Sequence, residues 1–94
     1  MKKPPTAIFT TGDYQALGVR KAAYEMDIKI PECLALAGFN NIDYARMSSP
    51  SLTTVDVPKR ELGEMAIRSV FDRLDGKEPV EHVFKPELII REST

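Results

Sequence analysis

The residues of this chain that could do chemistry are few, and most of them stand apart. His82 lies in the charged stretch KEPVEHVF with no serine or cysteine nucleophile in a recognisable motif to use it as a base, so it reads as a solvated histidine. Glu61 and Glu64 pair two carboxylates at helical spacing, yet Arg60 and Arg68 beside them make ordinary surface charge of the pair. Cys33 is the single cysteine; without a second thiol or a paired histidine it offers neither a disulfide nor a metal site, and just before the Leu34 run it reads as a structural thiol. LALAGFNNIDYA offers more. Its nearly continuous apolar run, Leu34 to Phe39, stops abruptly at Asn40, Asn41 and Asp43. A parallel strand buried on both faces reads this way, with its carboxyl end emerging at the edge where open α/β sheets hold their ligands. At that edge Asn40 would be a hydrogen-bonding residue. Asparagine also tolerates left-handed backbone and bonds its own main chain, so on these residues alone a turn is the first reading.

The elements that must position this edge can be traced along the chain. TAIFTT is a short β-rich run reaching Gly12-Asp13, and the segment to Met26 has helical spacing and good helix formers. Asp13 stands where its carboxylate could cap the first free amides of that helix. Pro31 breaks the helix and pushes Ile30 out of helical geometry. With the Leu34 run as the next strand, this is a βαβ unit with parallel strands and a right-handed crossover. An irregular stretch through RMSSPS follows, then LTTVDVP as a third strand stopped by Pro58. KRELGEMAIRSVFDRLDG is a second helix with Gly76 as its stop, and Leu88 to Ile90 form the last strand. The fold class is α/β. Asn40 should lie at the carboxyl end of a central strand, close to Gly12 and Asp13.

Both helices carry more apolar surface than one sheet needs. At about 100° per residue, Val19, Ala22, Ala23 and Met26 share the face expected on the sheet. Tyr14, Leu17, Lys21 and Tyr24 form a second, narrow seam of the kind that packs on another helix. On the second helix Leu62, Met65, Ala66, Ile67, Val70, Phe71 and Leu74 cover roughly two-thirds of the circumference, so it is expected to lie between two layers or against a part of a longer protein.

Composition narrows the function classes. Thirteen basic and 14 acidic side chains among 94 residues leave no electrostatic footprint for nucleic acid or an anionic membrane, so direct DNA binding by this chain is not expected. No long apolar span and no signal pattern at the amino end points to a membrane, and a reduced cytoplasmic setting is expected. No cofactor or metal is implied.

The ordered set of a Gly12-Asp13 helix start with ALG, the Pro31-Glu32 turn, GFNN, SPSLTTV, the LG of the second helix and the terminal RES resembles the carboxyl-terminal part of lactose/galactose-repressor-family (LacI/GalR) transcription regulators. The resemblance implies that residues 4–94 are the carboxyl-terminal portion of an effector-binding and dimerisation domain with a periplasmic-binding-protein-like (type I) fold. The helix-turn-helix head and most of the other lobe would be absent. It implies a sugar or related metabolite bound in a cleft between lobes, with Asn40, Phe39, Gly12 and Asp13 at the effector site. Asn40 falls where family members place an effector-contacting aspartate, and an amide donates as well as accepts. Gly12 replaces an asparagine that reaches the sugar in the lactose repressor, and Val57 replaces a glutamine common at the lobe crossing, which LTTVDV would make outward and ELIIR on return. A homodimer is implied, with Tyr14, Leu17, Lys21, Tyr24, Tyr44, Met47 and Ser48 at its interface and DNA contacted only through the absent head. The competing function is a sugar-binding protein of a transport system, which an upstream secretion signal would distinguish; an enzyme is not expected.

Overall fold

The computed structural model describes residues 3–94. The chain divides into two units, one holding it up to Asp56 and again from Glu87 to Thr94, the other Val57–Pro86. The boundaries fall where LTTVDV was expected to leave and ELIIR to return.

In the first unit, strand β1 (Ala7–Phe9) pairs in parallel with β2 (Ala35–Ala37), Ile8 opposite Leu36, and helix α1 (Asp13–Glu25) connects them. This is the expected βαβ unit. Strand β3 (Thr54–Asp56) pairs antiparallel with β4 (Glu87–Ile89) and meets β2 through parallel bridges at Ala37–Thr53 and Asn40–Asp56. The third and last strands are therefore present, and the parallel sheet acquires an antiparallel edge. The core is small: Ala16, Leu36, Ala45 and Leu52, with Ile8, Val19 and Ile30 packed against it.

Several local expectations are corrected. α1 turns Ala16, Val19 and Ala23 inward, whereas Ala22 and Met26 are exposed. The reason is Asp13: buried at the first helical position, it fixes the rotation of the helix and brings Ala16, three residues on, onto the sheet. The helix ends before Pro31 comes into play, its stop being Asp27 at φ 56. β2 is covered on one face only, Leu34, Leu36 and Gly38 being buried while Ala35, Ala37 and Phe39 are half-buried. Cys33 is exposed rather than a packed thiol. The stretch expected to be irregular contains a short helix, α2 (Asp43–Met47), which places Ala45 fully in the core.

The second unit is built on α3 (Lys59–Leu74), which follows Pro58 and ends as expected at Gly76, where φ is +80 and the amide bonds Arg73 O at 3.1 Å. α3 buries none of its residues: Leu62, Ile67, Val70, Phe71 and Leu74 are all exposed. Among the described residues no helix is long and apolar enough to cross a membrane.

Candidate functional site at the carboxyl edge of the sheet

Parallel pairing brings the carboxyl ends of β1 and β2 to one edge. The Thr10 amide donates to Ala37 O at 2.9 Å and the Asp13 amide to Phe39 O at 3.1 Å, so Gly12 and Asp13 lie alongside Phe39 and Asn40. The Asn40 amide donates to Val55 O at 2.8 Å, adding the end of β3 to the same edge. Asn40 and Asn41 both have left-handed backbone, φ 110 and 56. The turn reading therefore holds for the backbone, and it coexists with the placement of Asn40 at the carboxyl edge of the sheet, since a left-handed pair is what turns the chain there.

Asp13 is no cap. Gly12 holds the N-cap position with extended backbone and no capping side chain, while the Asp13 carboxylate, 1 % exposed, reaches sideways. Oδ1 accepts from the Thr54 hydroxyl at 2.6 Å and Oδ2 from the Ile42 amide at 2.8 Å. It thus ties the start of α1 to β3 and to the residue preceding α2. Gly38 must be small for the same reason, because a Cβ there would collide with Asp13 Oδ1 and stand 3.1 Å from Leu52 Cδ2. Gly12 is different: its backbone suits any residue, and a Cβ would meet only the end of the flexible Gln15 side chain, Oε1 at 2.6 Å.

A second polar tie was not foreseen. Asn41 Nδ2 donates to Asp56 Oδ1 at 2.9 Å, Arg91 Nη2 donates to Asn41 Oδ1 at 2.9 Å, and Arg91 Nη1 donates to Leu52 O at 3.0 Å. Near it the Thr53 amide donates to Ser93 Oγ at 2.8 Å, and that buried hydroxyl donates to Leu36 O at 2.5 Å. The amide at Asn41 was visible in the sequence. Its partners were not, because Asp56 and Arg91 are brought to it by strand register alone.

The α1 seam is open to solvent: Tyr14, Lys21 and Tyr24 are exposed, Leu17 is half-exposed, and on α2 Tyr44 and Met47 are exposed, with Ser48 half-buried after them. A hollow of about 310 Å³ is lined by Leu17, Arg20, Lys21, Tyr24 and Ser49. A larger one of about 580 Å³ continues past Arg20 and Tyr24 to Ile28, Ile30 and Pro50. Glu61 and Glu64 carry out no paired-carboxylate role in the geometry: Glu64 bridges to Arg60 at 3.0 Å in the open.

A βαβ unit with polar residues gathered at the strands' carboxyl edge has the α/β architecture of doubly wound folds, in which that edge is where ligands usually sit. The sequence profile of the periplasmic binding protein-like domain matches residues 1–94, and the chain belongs to that family, in the form carried by LacI/GalR-type regulators. It is 38 % identical over 94 residues to the HTH-type transcriptional repressor PurR of Pectobacterium carotovorum, covering 98 % of this chain and 28 % of the repressor. Among solved structures it resembles a LacI regulator from Bacillus cereus subsp. cytotoxis (TM-score 0.93, 29 % identity, 100 % of this chain and 34 % of that one). It also resembles the transcriptional regulator CelR in complex with cellobiose (TM-score 0.87, 28 % identity, 95 % of this chain and 28 % of that one). The chain thus spans less than a third of the length of the curated repressors it matches. PurR is a transcriptional repressor, and the two proteins of known structure are transcriptional regulators.

Proposed function

We propose that this chain is the carboxyl-terminal portion, residues 4–94, of the effector-binding and dimerisation domain of a cytoplasmic LacI/GalR-type transcription regulator. A small sugar-like or related metabolite would bias the domain between conformations of different DNA affinity. The observation carrying this reading is the convergence of Asn40, Phe39, Gly12 and Asp13 on one sheet edge in a chain whose relatives are repressors. Asn40 is the residue we assign to direct effector contact; Gly12 beside it offers no side chain for a further hydrogen bond, and Asp13 holds the edge in place through Thr54 and Ile42. The α1–α2 surface is assigned to the twofold contact, and DNA is reached through a helix-turn-helix supplied elsewhere in the regulator. The repressor relatives favour this over a transport sugar-binding protein.

Calorimetry of the regulator containing this chain, against a panel of sugars including cellobiose and of nucleobases, tests the reading. One ligand should bind at micromolar concentration or better, and Asn40→Gly, which accepts the left-handed backbone, should weaken it at least tenfold through the loss of a hydrogen bond to a polar ligand. Equal affinity with Asn40→Gly removes Asn40 from the site.

A further inference from the structure

Building on that effector reading, we propose that Asn41 is a positioning residue that links Asn40 to the two strands by which the chain leaves and re-enters its first unit, so that occupancy at Asn40 is felt at the crossing. Asp56 is the last residue of the first unit before the boundary, and Glu87, its partner in the β3–β4 register, is the first after the return. Asn41 reaches the outgoing strand at Asp56 and the returning segment at Arg91, whose guanidinium also holds Leu52 O.

The chemistry of the side chain suits this task. Asp56 needs a donor and Arg91 an acceptor, and a carboxamide presents one of each from a single planar group. A carboxylate at 41 would satisfy Arg91 and repel Asp56; an apolar side chain would satisfy neither. The planar fork of Arg91 can hold two acceptors at once, which a lysine cannot do in the same geometry. The main chain completes the link. Asn41 follows Asn40 directly in left-handed backbone, the Asn40 amide is bonded to Val55 O, and the Asn41 amide lies 3.3 Å from Thr54 Oγ1. Asn40 therefore cannot shift without straining bonds to the outgoing strand, and through the Asn41 side chain that strain reaches the returning one.

Amide hydrogen exchange of the 94-residue chain tests the link without any ligand. Asn41→Gly keeps the left-handed backbone and removes only the carboxamide. It should speed exchange of the Asn40 and Arg91 amides about tenfold while leaving those of Leu36 and Ala45 unchanged. Arg91→Lys should speed the Asn40 amide similarly, and this variant reads the same link if Asn41→Gly does not fold. The reciprocal exchange separates a clamp from a space-filling turn: Asn41→Asp should loosen both amides, and adding Asp56→Asn should restore them to within about threefold of the parent chain by re-forming one donor and one acceptor. Uniform acceleration that includes Leu36, an unchanged Asn40 amide, or further loosening on adding Asp56→Asn would each overturn the proposal. These readouts are independent of effector titration, so failure here leaves the assignment of Asn40 to the effector standing, and the reverse also holds.

Discussion

Thr54 donates a 2.6 Å hydrogen bond to Asp13 across 41 residues of sequence, and both side chains are shut away from solvent. A buried carboxylate normally seeks a cation; this one is held by a hydroxyl and a main-chain amide. Desolvation makes each donor count, because one left unreplaced cannot be supplied by water. Thr54→Val keeps the shape, removes this donor and also removes the acceptor 3.3 Å from the Asn41 amide. It should cost about 1–3 kcal/mol in a denaturant titration, and an unchanged midpoint would mean that neither bond contributes.

The glycines divide according to what surrounds them. At Gly38 an added methyl would land on the Asp13 carboxylate and lie 3.2 Å from its Cα, backbone that cannot swing away. Gly38→Ala should destabilise by about 1–3 kcal/mol by overpacking. Gly18, within α1 and with nothing inside 4 Å of its ideal Cβ, is the control. Gly18→Ala should raise stability by about 0.5–1 kcal/mol through helix propensity alone, so the two substitutions should move the thermal midpoint in opposite directions.

At the carboxyl end, Glu92 accepts from the Ser51 amide at 3.0 Å and the Ser51 hydroxyl at 2.9 Å. The amide first and the hydroxyl second hold its carboxyl below the ordinary value for glutamate. A carboxylate depressed on folding contributes stability above its unfolded pKa and loses it as pH falls through the folded one. The protection of the Ser51 amide, its exchange rate relative to the intrinsic rate at each pH, should therefore fall on acidification below the ordinary glutamate range, and Glu92→Gln should flatten that dependence. A dependence that survives Glu92→Gln would assign it to another group.

The βαβ unit, the turn at Asn40 and the end of the third strand before Pro58 were legible because each has a local cause: a β-rich run, an Asn-Asn pair, a proline; the departure of the chain after Asp56 came only from the family resemblance. The inward face of α1 was not, since its rotation is set by a charged residue whose partners are Thr54 and Ile42, a strand and a turn away. α2 escaped notice because five residues are too few to show a period, and only Ala45 among them is buried. The polar ties at Asp13 and Asn41 depend on strand register, which no single segment encodes. The second face of β2, only half-buried at Ala35, Ala37 and Phe39, departs from the expectation for a related reason: an apolar run states that both faces want cover, not that these 94 residues supply all of it.

The α1 seam makes a separate expectation accessible. Tyr24 is 83 % exposed and Tyr14 69 %, flanking the half-exposed Leu17. Aromatic side chains left open around an aliphatic one suit the centre of an interface, where they bury large areas at little entropic cost. In the regulator containing this chain, Leu17→Asp should convert a twofold dimer to monomer at micromolar concentration in sedimentation, with the circular dichroism spectrum unchanged. A dimer that persists would move the contact elsewhere.

On α3, Ile67 and Phe71 are four residues apart on one face and each 62 % exposed, with Leu74 at 76 % one turn further on. A helix with only Met65 half-buried among its large apolar residues gains little from its own chain, and contiguous apolar surface of this kind is rarely left wet. The 94-residue chain should therefore associate through α3 as concentration rises, by exchange of the segment from Leu52 to Thr94 between copies or by face-to-face contact of α3. Replacing Ile67 and Phe71 together by lysine removes the apolar face without opening a cavity, because neither side chain is buried. The double variant should remain monomeric in light scattering at concentrations where the parent chain associates, and its unfolding free energy should stay within about 0.5 kcal/mol of the parent measured in dilute solution. A parent chain that stays monomeric throughout, or a double variant that associates equally, would show that α3 is not the surface that drives assembly.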